Sequence, residues 1–224
     1  VLDEIVTFSR RADQTKGSTC GIRAGESLSV RELLYGLLLP SGNDASVALG
    51  EHFGKRLMGE VPDQDPYRSF VEAMNVAAKE LGLDKTRFVN THGMSEPGHH
   101  SSAGDLLKLS WQALQDPAFA EYVATSQHGC TVDGPGGYRR NVIWRNTNRL
   151  LNIAGYDGVK TGTTSAAGAC LVSRSQRGER SLMLVVLGSA ASDSRYADTR
   201  NLSRWAWNQL PANEVELAEP ATGR

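Results

Sequence analysis

The 224 residues lack several features that would have pointed elsewhere. No apolar run approaches the roughly 20 residues that a membrane span needs, so no membrane segment is expected. A secretory leader is not visible either. The formal net charge of −1 leaves no basic surplus to attract nucleic acid or an anionic bilayer. Cys20, Cys130 and Cys170 have no metal-ligand spacing, and an odd number leaves at least one thiol unpaired within the chain. Cysteine usage therefore does not settle the compartment. No internal repeat is present. His92, His99 and His100 have no carboxylate at ligand spacing and share no helix face, so neither a metal nor any other cofactor is expected. The opening residues 1–8 read as an interior strand or helix end, and the chain is expected to be a fragment or a processed product.

What is present is an ordinary globular composition, 40% hydrophobic and 22% charged, enough for one good core. After a β-prone start and a polar stretch, Ser29-Val30-Arg31-Glu32 has the form of a capping box and announces a helix over 30–39. Pro40 ends that helix, and a second one is expected over 44–52, with a loop over 54–64. Asp65-Pro66 opens a helix to Leu81, stopped by Gly82. Ser102 caps a helix over 106–114, and a short helix follows at 117–124. Residues 129–138 read as turns and 141–144 as a strand. The apolar runs 167–172 and 181–187, joined by a polar turn, read as a hairpin beside Gly158-Val159-Lys160-Thr161-Gly162-Thr163-Thr164. The last helix is expected over 194–210, with Leu202, Trp205 and Trp207 on its core face. Residues 1–210 make one domain, and 211–224 a polar, acidic tail expected to be disordered.

A strand carrying a lysine, a hydroxyl and a glycine in succession can lie beside an extended peptide and hold a carboxylate at one end. Lys-Thr-Gly alone is weak evidence. Ser41-Gly42-Asn43, in the break between two helices, strengthens it, although two small polar residues there also fit plain helix punctuation.

With Leu38–Ala45, Thr91-His92-Gly93, His100-Ser101-Ser102-Ala103 with Asp105, and Tyr156–Thr163 in order, the chain resembles the D-alanyl-D-alanine carboxypeptidases, the low-molecular-mass penicillin-binding proteins. The resemblance implies an α+β fold of β-lactamase and transpeptidase type, an antiparallel sheet flanked by helices, here N-terminally incomplete. It implies removal of the terminal D-alanine from peptidoglycan stem peptides through an acyl-enzyme, with β-lactams as acylating inhibitors, outside the cytoplasm at the periplasmic or cell-wall face. By the same resemblance, Ser41 relays a proton toward the leaving amine and Asn43 bonds the substrate's amide carbonyl. Lys160 supplies positive charge. Thr161 binds the carboxylate with support from Arg195, Gly162 admits the substrate backbone, and the Thr163 N–H is one oxyanion donor.

The departure is an absence. No serine in the chain has lysine three residues later, and the nearest case, Ser192 with Arg195, fails because a guanidinium stays charged below about pH 12. The nucleophile and base of the Ser-x-x-Lys motif are thus expected upstream of Val1, and this chain alone is expected to be inactive. These 224 residues give no sign of the family's usual second β-rich domain or C-terminal anchor, and neither is expected within them; Gly104 stands where many relatives carry arginine. Two other readings stand beside this one. One is a degenerate homologue that binds cell-wall peptide without cleaving it. The other is a serine β-lactamase, for which Glu96 is the one candidate deacylating carboxylate.

Overall fold

A computed structural model describes residues 1–58 and 64–210. The tail 211–224 and part of the 54–64 loop lie outside the described residues. Three short elements open the chain: β1 (Ile5–Thr7), α1 (Arg10–Asp13) and β2 (Ser27–Ser29). Helices α2 (Val30–Leu38), α3 (Asn43–Gly54), α4 (Pro66–Glu80), α5 (Ala103–Ala113) and α6 (Pro117–Ala124) form the middle. Strands β3 (Gln127–Asp133) to β7 and helix α7 (Ser194–Gln209) complete the fold.

Local hydrogen-bond chemistry sets most helix starts. Ser29, Asp65, Ser102 and Asp116 each accept a backbone N–H of the following turn. The capping box at Ser29 is half formed. Its hydroxyl accepts from Glu32 N at 3.2 Å, but the Glu32 carboxylate turns away to His128 Nε2 at 2.6 Å. A charge-assisted bond to a residue on β3 outcompetes the local return contact.

The strands divide into two antiparallel sheets. One has the order β1-β2-β3-β4, with β4 at Arg139–Arg145. The other has the order β5-β6-β7, from Tyr156–Thr164, Gly168–Arg177 and Arg180–Ser189. The 129–138 stretch is therefore not simply turns: its first part is β3, paired with β4 from Gln127↔Arg145 to Asp133↔Arg139. On β3 only Val132 is fully buried, so the strand carries no run of apolar residues to betray it.

One core packs β1, β2 and the β3/β4 pair against α2 and α3, through Val6, Leu33, Leu39, Val47, Val132 and Trp144. A second joins Leu114 and Val123 of the α5–α6 region to Val159 and Val172 of the second sheet. Helix α3 runs through the first core with nine of its 12 residues buried. Small side chains make this possible: a Cβ at Gly54 would stand 1.8 Å from the Pro66 carbonyl oxygen of α4. The residues that begin α3 are therefore fixed in place.

Helix α7 corrects one expectation. Trp205 is 61% exposed and Leu202 lies on the surface, while the buried side is Arg195, Tyr196, Thr199, Ser203 and Trp207. The sheet beneath presents Ser175, whose hydroxyl takes Trp207 Nε1 at 3.0 Å and Ser203 Oγ at 3.1 Å. A polar sheet face selects polar partners.

Candidate active site

Pro40 has no N–H to continue α2, and the chain leaves it through Leu39. Ser41 then takes a left-handed backbone at φ +63, which costs a non-glycine residue about 1–2 kcal/mol. The turn is held from both sides, by Gly42 N to Gly36 O at 3.3 Å and Asn43 N to Ser18 O at 2.8 Å. It brings the Ser41 hydroxyl within 2.7 Å of Lys160 Nζ, across 119 residues of sequence. Lys160 also donates to its neighbour's carbonyl, Thr161 O, at 3.0 Å. No carboxylate among the described residues is bonded to it. Burial, with the Arg195 cation adding repulsion, pushes its pKa down to about 8.

Asp44, to which the sequence reading gave no role, anchors this turn. Its carboxylate is 1% exposed and accepts from the N–H of Cys20 at 2.9 Å, Gly21 at 3.2 Å and Ala45 at 2.8 Å, and from the Thr19 hydroxyl at 2.5 Å. The Cys20 thiol is a further donor at 3.3 Å, and burial followed by the Asp44 charge holds it protonated well above the usual thiol range. The 16–21 segment is thus clamped against the start of α3. Asn43 Nδ2 donates to Lys16 O at 2.8 Å, and Gly17, at φ +100, must be glycine because a Cβ would meet that Nδ2 at 2.3 Å. One amide hydrogen of Asn43 is therefore committed to protein, leaving the other and Oδ1 for a ligand.

On β5 the expected residues alternate along the strand. Thr161 Oγ1 lies 2.7 Å from Thr147 Oγ1, Gly162 has open space where a Cβ would stand, and Thr163 Oγ1 accepts from Arg195 Nη1 at 2.8 Å. Arg195, in the first turn of α7, is buried. It is 6% exposed and also donates to Gly162 O at 2.9 Å, Cys170 O at 3.2 Å and Ser192 Oγ at 2.6 Å. Its contacts fall on Gly162 and Thr163, one step beyond the Thr161 hydroxyl it was expected to support. The loop after His92 closes the far end, with Ser95 Oγ 2.7 Å from Thr164 Oγ1. Within that loop His92 Nδ1 accepts from Met94 N and His99 Nδ1 from Val89 N, so both imidazoles brace backbone. Glu96 accepts from Asn90 Nδ2 at 3.1 Å, and no hydrogen bond among the described residues joins it to Ser41 or Lys160.

A serine–lysine contact beside a strand with a glycine window has the layout of an acyl-transfer site. The D-alanyl-D-alanine carboxypeptidase family model matches residues 1–191. The chain belongs to that family. Among family relatives, D-alanyl-D-alanine carboxypeptidase DacD of Escherichia coli K12 is 36% identical over 95% of this chain and 52% of its own length. DacF of Bacillus subtilis 168 is 32% identical over 96% of this chain and 52% of its own. The chain thus spans about half the length of these two relatives. The Streptomyces K15 DD-transpeptidase crystal structure superposes at a TM-score of 0.87 with 32% identity, covering 93% of this chain and 80% of that one. Family membership accounts for the order of the motifs, and the contact between Ser41 and Lys160 shows that two of them meet in space. The family's Ser-x-x-Lys is absent from these 224 residues.

Proposed function

We propose that the protein carrying this chain is a serine-type D-Ala-D-Ala carboxypeptidase, acting outside the cytoplasm on peptidoglycan stem peptides and acylated by β-lactams. The observation that carries this reading is the 2.7 Å contact of Lys160 Nζ with Ser41 Oγ, at the mouth of a strand with an open glycine. On this reading the nucleophile and its base come from the family's Ser-x-x-Lys motif, which these 224 residues do not contain. The attacking serine's proton passes to that lysine and then, through Ser41, to the departing D-alanine nitrogen. Lys160 fits the step because its ammonium donates to Ser41 Oγ, which keeps the hydroxyl hydrogen free to point at the leaving group. Asn43 positions the substrate amide with its remaining hydrogen. The Thr161 hydroxyl receives the C-terminal carboxylate under the positive field of Lys160 and the buried Arg195. Gly162 lets the peptide backbone approach β5 as an added strand, and the Thr163 N–H faces the developing oxyanion. Water then hydrolyses the acyl-enzyme.

The test is release of D-alanine from N,N′-diacetyl-L-Lys-D-Ala-D-Ala, followed by mass spectrometry on the N-terminally extended protein. One D-alanine per peptide, blocked by benzylpenicillin, is expected. Folded protein that leaves the peptide intact overturns the proposal.

A further inference from the structure

Thr147 is bonded to three separate parts of the chain that meet at the site. Its N–H donates to Leu39 O at 3.0 Å, two residues before Ser41. Its carbonyl accepts from Tyr196 Oη of α7 at 2.9 Å, next to Arg195. Its hydroxyl stands 2.7 Å from the Thr161 hydroxyl on β5. The flanking asparagines lock the segment: Asn146 Nδ2 donates to Thr125 O at 3.0 Å, and Asn148, 2% exposed, donates to Gly158 O at 3.0 Å. Thr147 is itself exposed, so the backbone here is rigid while this one hydroxyl remains open to solvent beside Thr161.

Two hydroxyls bonded to each other use one hydrogen between them and leave the second without an acceptor from the pair. A carboxylate arriving beside them would take both hydrogens, because each of its oxygens offers two acceptor sites. Lys160 and Arg195 already make the surroundings positive, and no carboxylate among the described residues is bonded to Lys160. We infer that Thr147 is a substrate-binding residue, the second hydroxyl of a two-threonine clamp on the C-terminal carboxylate of the peptide, where the motifs assign Thr161 alone. This rests on the carboxypeptidase reading above. A hydroxyl that merely braced the turn would be redundant, since both backbone groups of Thr147 are already bonded.

The test compares N-acetyl-D-Ala-D-Ala with its C-terminal amide in NMR titrations of the wild type, Thr147→Ser, Thr147→Val and Thr147→Ala. The wild type is expected to prefer the carboxylate. Thr147→Val and Thr147→Ala should each cut that preference about fivefold, the size of one charged hydrogen bond partly replaced by water, and Thr147→Ser should keep it. Two results overturn the assignment: an unchanged preference in the variants, or equal weakening toward both ligands. A wild type with no preference between acid and amide would instead sink the carboxylate site itself and the carboxypeptidase reading with it.

Discussion

Replacing Lys160 with methionine should make the protein more stable at neutral pH while breaking the contact with Ser41 on which the proposed acyl transfer relies. The ammonium is desolvated by burial and repelled by the Arg195 cation, and its pKa falls from 10.5 to about 8. That depression corresponds to about 3 kcal/mol against folding while the lysine is charged in both states. Methionine has a similar stem and no charge, and it forfeits the bond to Ser41, worth about 1 kcal/mol. The net gain at pH 7 is about 2 kcal/mol, or roughly 6 °C in melting temperature for a chain of this size. The sign with pH follows from proton binding. Between about 8 and 10.5 the unfolded lysine holds its proton and the folded one does not, so wild-type stability rises with pH through that window. The penalty is full below pH 8 and has fallen to about 1 kcal/mol by pH 10, close to the worth of the Ser41 bond, so there the two proteins should unfold together. Thermal unfolding by circular dichroism at pH 7 and pH 10 reads both numbers. A variant less stable than wild type by the same margin at both pH values would refute the reasoning and make Lys160 a structural donor.

Two further perturbations probe the supports of the site. Asp44→Asn turns an amide NH2 toward donors already crowding the carboxylate, and should cost about 3 kcal/mol, or roughly 10 °C in melting temperature. A fall of less than about 2 °C would mean that the 16–21 clamp is not held by this residue. Glu26, 0% exposed, accepts from Arg140 Nε and Nη2, Tyr138 Oη and Arg23 N, and Arg140 above all holds its pKa down to about 2. Its contribution of about 3 kcal/mol is present above pH 4.5 and is lost as pH falls toward 2, so acid titration of Glu26→Gln should show a flatter stability profile over that range than wild type. Parallel profiles would contradict it.

The sequence carried the elements whose signals are local. Ser29, Asp65 and Ser102 cap helices where they stand, and Pro40 ends α2 for a reason internal to one residue. It did not carry elements whose buried side is polar. Trp205 looked like core and is surface, because α7 buries Arg195, Thr199 and Ser203 over a serine-bearing sheet. Strand β3 hid behind glycine, threonine and a single buried valine. The site was legible as motifs, through the resemblance that ordered them. Its assembly was not, since the Ser41–Lys160 and Thr147–Thr161 contacts depend on how the helical part meets the second sheet. Asp44 lay within a quoted motif block, yet its work depends on donors from residues 19–21, and nothing in the spacing announces them.

The most direct measurement is intact mass after incubation with benzylpenicillin, made on the 224-residue chain and on a form extended N-terminally through the Ser-x-x-Lys motif. The account predicts one covalent adduct on the extended form and none on the chain alone, with Lys160→Met in the extended form slowing acylation on the order of 100-fold. An adduct mapped to any residue from Val1 to Arg224, or none on a folded extended protein, would contradict it.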